Sequence, residues 1–228
     1  MSIDTIFPRL ALLVLAWLIY FGLHSLLASL WLKRRVARAH PQWMRGYRLF
    51  FNLCATLLLL PPLALTYWRW RSGPWLWEWT GLGWWITNTL AFAAVLGFLW
   101  SLRWYDGLEF LGLRQWRDGL FSVEDQERFH LSPLHRYVRH PWYSLGLVLV
   151  WTRDMDPALL TTAIMITIYF VLGSRLEEKK LAVYHGDVYG HYRQLVPSLI
   201  PLPWRYLTRE QACNLAAEAA VSGVGRRR

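Results

Sequence analysis

The sequence predicts an all-α fold: a polytopic membrane helical bundle of about five transmembrane helices. Three single spans come first, a C-terminal helical hairpin follows, and a short helical segment continues on the cytoplasmic side. Three observations carry that reading. Of the 228 residues, 55% are hydrophobic and 16 are Trp, a load that soluble domains of this length rarely carry. Apolar blocks recur from residue 8 to residue 174 with only short polar gaps. The basic residues, which set a net charge of +10, gather at the ends of those blocks.

The first block runs from about Leu10 to Leu32. At ~1.5 Å per residue it is long enough for a hydrocarbon core of ~30 Å. Lys33, Arg34, Arg35 and Arg38 follow it, and residues 33–48 read as a basic loop at the interface. Leu49 to Trp68 is the second block. Pro61 and Pro62 sit inside it and are expected to kink or end the helix, since proline removes a backbone donor. Tyr67, Trp68, Trp70, Trp75, Trp77 and Trp79 then cluster as an aromatic belt. Leu82 to Leu102 is the third block, followed by a polar stretch of mixed charge over residues 103–139. Trp142 to Trp151 is too short to cross alone, Arg153 to Pro157 interrupts, and Ala158 to Gly173 resumes, which reads as a hairpin. One integral membrane domain over residues 1–211 is expected, with a basic tail over 212–228 that begins as a short helix.

Charge placement narrows the function classes. On a soluble chain, +10 would raise nucleic acid as a partner. Here the cations flank apolar blocks, which points to the lipid bilayer and excludes nucleic acid from the expected partners. Six basic residues lie in 33–48 against Arg69 and Arg71 in the next loop. That asymmetry predicts an N-terminus outside and a C-terminus in the cytoplasm. Cys54 and Cys213 make neither a disulfide framework nor a metal-ligand spacing.

The chemistry-bearing residues flank the hairpin. In Arg139-His140-Pro141, proline suits the first helical position, so His140 becomes the expected N-cap. The N–H groups of that first turn favour an anion such as a carboxylate, and Arg139 adds a positive fork beside them. Beyond the hairpin, Glu177, Leu181 and Tyr184 share one helical face. Glu177 and Glu178 are adjacent, so on a helix they diverge by ~100° and do not form a dyad. Gly186-Asp187 reads as a C-cap followed by an N-cap. Tyr189 and Tyr192 lie side by side on a second short helix that Pro197 ends. His24-Ser25, inside the first span, is a third polar site at membrane depth. Each of these also has a structural reading: an ordinary helix start, solvated glutamates beside Lys179 and Lys180, and an interhelical histidine.

Taken together, Arg139-His140-Pro141-Trp142-Tyr143, Glu177-Glu178, Leu181, Gly186, Tyr189, Tyr192 and Val196-Pro197 resemble a known pattern. It is that of integral-membrane methyltransferases of the isoprenylcysteine carboxyl methyltransferase and phospholipid methyltransferase type. Residues 22–29, the Trp-rich loop and Phe110 to Gln115 are similar to the methanethiol S-methyltransferase branch. The resemblance implies S-adenosylmethionine as methyl donor, bound by a cytoplasmic segment over residues 130–205. Carried over by position, Arg139, His140, Tyr143, Glu177, Glu178, Tyr189 and Tyr192 are its cofactor-site residues. A small thiol or lipid-borne acceptor in a bacterial-type inner membrane is implied as well. The acceptor has to lose a proton, and His24, His130 and Glu178 are the candidate bases.

Two positions depart from the pattern. Leu145 stands where related chains often carry Gly, with Gly146 one place later, and Pro133-Leu134-His135 replaces a common Gly-x-Tyr. Such losses leave room for a non-catalytic accessory protein of the same fold. A nicotinamide-dependent membrane reductase is a third class with a related C-terminal layout.

Overall fold

The computed structural model describes residues 3–67, 74–119 and 131–225. Among them the regular elements are helices: α1 (Ile3–Ala28), α2 (Leu30–Ala39), α3 (Met44–Tyr67), α4 (Gly81–Ser101), α5 (Gly107–Leu111), α6 (Leu113–Asp118), α7 (Pro141–Trp151), α8 (Pro157–Leu195) and α9 (Arg209–Gly225). Among the described residues, four stretches are long and apolar enough to cross a membrane: Ile6–Ala28, Pro41–Tyr67, Gly81–Trp104 and Pro157–Leu195. The architecture is thus a polytopic helical bundle. With 11 residues, α7 is the short arm of the expected hairpin, and Pro157 opens the long arm.

The chain divides into two compact units, and α8 contributes to both. The first draws on Met1–Trp85, Tyr105–Asp125 and Arg153–Ile166. Leu13 and Trp17 of α1 are buried there with Ala158 and Met165 of α8. A polar clamp crosses this apolar core. The Trp17 indole donates to the Thr162 hydroxyl at 3.1 Å, and Thr66 lies 2.7 Å from the same oxygen. Polar pairs of this kind hold helices together at lipid depth, where hydrophobicity alone gives no drive to associate.

Two local expectations change. Pro61 and Pro62 do not end α3, which continues to Tyr67. In lipid every backbone group left unpaired is costly, so breaking the helix outright would cost more than the donors the two prolines lack; one turn further, Thr66 donates its hydroxyl to the Pro62 carbonyl at 2.7 Å. The first apolar block is also cut at Ser29. Its backbone is extended and its hydroxyl accepts from the Leu32 N–H, so α2 starts as a separate helix. Part of the Trp-rich loop pairs with the turn after α7: Met155 and Trp77 form an antiparallel bridge, and Asp154 accepts from the Trp79 N–H at 2.8 Å. Trp68 and Trp70 lie outside the described residues.

The second unit draws on Ile86–Trp104, Gln126–Thr152 and Thr167–Arg228. Its core joins Tyr189, Tyr192 and Val196 to Leu207 and Leu215. The helix predicted in the tail starts earlier, at Arg209, and α9 buries Leu215 in that core.

Candidate functional site at the start of the last hairpin

Two backbone features bring the site together within the second unit. Residues 139 and 140 run alongside 197 and 198: the Arg139 N–H donates to the Pro197 carbonyl at 2.9 Å and the His140 N–H to Ser198 at 3.1 Å. Gly186, with φ 56° and ψ −132°, bends α8 where a C-cap glycine was expected. That region of backbone space is open to glycine and closed to bulky residues.

Glu178 is the centre of the cluster and is only 6% exposed. Its Oε1 accepts from Arg139 Nε at 3.0 Å, Arg139 Nη2 at 2.8 Å and the Ser198 hydroxyl at 2.9 Å, with His140 Nε2 at 3.1 Å. Arg193 Nε lies 3.5 Å from Oε2. A carboxylate is tolerated at this depth because it is paired and hydrogen-bonded throughout. The rest of the Arg139 fork donates to the carbonyls of Arg193 and Val196, so it also closes the end of α8. This guanidinium is committed to protein groups on both sides.

Glu177 differs from its neighbour: its side chain is 48% exposed. It accepts from the Tyr143 hydroxyl at 3.3 Å and lies 3.4 Å from His140 Nδ1. The two glutamates diverge as expected but meet the same imidazole from opposite edges. A neutral imidazole has one N–H and one lone pair, so facing two carboxylates favours the doubly protonated ring. Burial works against that charge, yet the hydrogen bonds and charges of Glu177 and Glu178 outweigh it and hold the His140 pKa above 6.5. His140 occupies the N-cap position of α7, but its ring serves the glutamates and not the helix N–H groups.

The aromatic residues are fixed by packing. Tyr143 stacks on His140 (centroids 5.4 Å, 9° between planes) and on Phe170 (4.6 Å, 9°), so both of its faces are covered and its hydroxyl edge is what it presents. Gly146 makes this possible: a Cβ there would lie 3.1 Å from the Phe170 ring. Leu145 instead faces Gly97 of α4. The glycine displaced by one position therefore still serves close helix approach. Tyr192 is buried and donates to the His135 carbonyl at 2.7 Å. Where Gly-x-Tyr is common, this chain forms a 3-10 turn over Pro133–Arg136, closed by the Ser132 hydroxyl at 2.8 Å from His135 Nδ1. Tyr189 is 1% exposed, and its hydroxyl is buried without a hydrogen-bond partner.

Of the expected site residues, Arg139, His140, Tyr143, Glu177 and Glu178 form one connected cluster. Tyr189 and Tyr192 pack side by side in the adjoining core. His24 belongs to the first unit, where its ring meets Tyr20 and Phe51. His130 lies outside the described residues. Ser198, Arg193 and Phe170 complete the cluster and were not foreseen; a polar residue directly after Val196-Pro197 was the one visible hint of Ser198.

Fold and site together define a polytopic integral membrane protein with an ion-paired polar cluster at the start of its last hairpin. Comparison with known proteins gives the family. The chain is 31% identical to methanethiol S-methyltransferase of Crocosphaera subtropica over 83% of its own length and 76% of that protein's. It is 32% identical to the enzyme of that name from Pseudomonas sp. (84% and 74% covered) and 31% identical to that from Mycobacterium tuberculosis (80% and 74%). The chain belongs to the methanethiol S-methyltransferase family. No family model matches it, and no solved structure does.

Proposed function

We propose that this protein transfers a methyl group from S-adenosylmethionine to a small thiol or other lipophilic acceptor at the membrane. The acceptor class rests on the family, whose members from Crocosphaera subtropica and Pseudomonas sp. are named for methanethiol. The donor site rests on one observation: two glutamates converge on His140 at the first turn of α7, with the partnerless Tyr189 hydroxyl in the adjoining core.

These residues fit a nucleoside that carries an amino-acid end. Half-exposed Glu177 suits an ammonium or a ribose hydroxyl. The first turn of α7, which no side chain caps, suits a carboxylate. An orphaned buried hydroxyl such as that of Tyr189 is costly unless a ligand engages it. Tyr143 aims Glu177, and the stack with His140 and Phe170 fixes Tyr143. Arg139, Glu178 and Ser198 hold His140 and the 197–198 segment in register. Tyr192 ties the segment to the 133–136 turn.

When bound, S-adenosylmethionine supplies a methyl carbon already activated on a sulfonium. The chain then has to orient an acceptor sulfur in line with it and keep the surroundings dry. Transfer to a thiol would exchange the sulfonium S–C bond for a thioether S–C bond, and the chain would have to supply a base for the thiol proton. Glu178 serves as an anchor in this scheme, since its Oε1 is fully taken up by Arg139, His140 and Ser198. His24 and His130 stay the candidate bases. The excess of basic residues between the first two spans supports an N-terminus outside and the donor site on the cytoplasmic side of a bacterial-type inner membrane.

Titrating the purified protein calorimetrically with S-adenosylmethionine is the direct test, followed by incubation with isotope-labelled donor and small thiols, prenylated cysteines or lipids. Saturable binding and label in a thioether are expected. Absence of binding, or protein-dependent oxidation of a nicotinamide instead, overturns the proposal.

A further inference from the structure

We propose that the outward face of α2 is a binding surface for anionic phospholipid headgroups, beyond the general contact any membrane protein makes with its bilayer. The helix follows the Ile6–Ala28 span by one residue, and the next span starts at Pro41. Tethered at both ends, it is confined to one membrane boundary.

No residue of α2 is buried. Leu32, Val36 and Ala37 are half-covered, while Trp31, Arg34, Arg35 and Arg38 are exposed. Those four fall at i, i+3, i+4 and i+7, a single stripe along the helix. The Arg35 guanidinium sits 5.9 Å from the centre of the Trp31 ring. One turn further, Trp43 is 59% exposed and stacks on His40 at 4.2 Å. Residues 29–48 contain no Asp or Glu, and two of the three acidic side chains around the α5–α6 pair are engaged locally, Asp106 by Arg114 and Asp118 by Arg117. The stripe thus combines guanidinium forks, which match phosphate geometry, with indoles, which settle at headgroup level. The net positive field selects an anionic headgroup over a zwitterionic one.

The full-length protein in dodecylmaltoside micelles provides the test. Retention of added phosphatidylglycerol and phosphatidylcholine is read by native mass spectrometry, with thermal midpoint as a second measurement and inorganic phosphate as a third arm. Wild type is expected to retain phosphatidylglycerol selectively. The Arg35→Gln/Arg38→Gln variant should lose about tenfold or more of that selectivity, at roughly fivefold per cation. Arg35→Lys/Arg38→Lys should keep most of it, and Arg103→Gln/Arg209→Gln, which removes equal charge elsewhere, should leave it intact. Equal retention of both lipids by wild type, equal losses in the two Gln variants, or full thermal protection by phosphate alone each overturns the proposal.

Discussion

Arg139 grips Glu178 through both Nε and Nη2, at 3.0 and 2.8 Å, across 39 positions of sequence. Both side chains are at least nine-tenths buried. The pair joins the second residue before α7 to the middle of α8, and the other contacts of the cluster are arranged around it.

Breaking that pair should cost stability before it costs chemistry. Removing one partner leaves a buried charge unmatched, a loss of about 3–5 kcal/mol. Glu178→Ala is therefore expected to lower the thermal midpoint in detergent sharply and to deplete the monodisperse peak. Glu178→Gln should lose less. A double variant, Glu178→Ala with Arg139→Leu, should recover part of the loss. Additive losses would show that the two side chains do not depend on each other.

Glu177 should behave oppositely. Half of its side chain is exposed, so Glu177→Gln is expected to fold with a midpoint close to wild type. If it receives the donor's ammonium, S-adenosylmethionine affinity should fall by at least tenfold, in keeping with about 1.5–3 kcal/mol for a hydrogen bond to a charged group. Calorimetric titration of the folded variant decides this. Unchanged affinity would move the donor away from Glu177.

His140 carries a pH signature. Its folded pKa is raised above 6.5, because Glu177 and Glu178 outweigh the cost of burial. A raised basic group contributes stability that is complete below its unfolded pKa and is lost as pH rises through the folded one. The thermal midpoint of wild type should therefore decline above pH ~6.5, the unperturbed histidine value. His140→Gln should flatten that decline while lowering the midpoint at pH 6. A wild-type midpoint that rises over the same range would show that the ring is neutral in the fold.

Gly146 is a packing test. A Cβ at 3.1 Å from Phe170 forces that ring to move, and its stack on Tyr143 resists. Gly146→Ala should cost about 1–3 kcal/mol, the usual penalty for overpacking. Phe170→Leu in the same chain should relieve much of it. If Gly146→Ala is neutral, the hairpin has slack there.

Much of this was readable in the chain. Span positions followed from apolar block length, and the flanking cluster from residue types that membranes exclude unless they are used. The break at Ser29 was hidden because hydrophobicity continues through Leu32 while only a cap hydroxyl ends the helix. The continuity of α3 through Pro61 and Pro62 was hidden because proline's local preference is to break a helix, whereas the bilayer penalises the open backbone a break would leave. The committed state of the Arg139 fork was hidden for a similar reason: the carbonyls of Arg193 and Val196 leave no trace in side-chain identity. Phe170 was invisible because its partners, Tyr143 and Gly146, lie a hairpin away.

The bend at Gly186 has a cost attached to it. Drawn out straight, 39 helical residues would reach ~58 Å, nearly twice the thickness of a hydrocarbon layer. One achiral residue turns the chain so that the carbonyls it later exposes arrive at Arg139. A side chain placed there would strain the elbow by about 1–3 kcal/mol, and that strain would be felt by the ionic knot it delivers to Arg139.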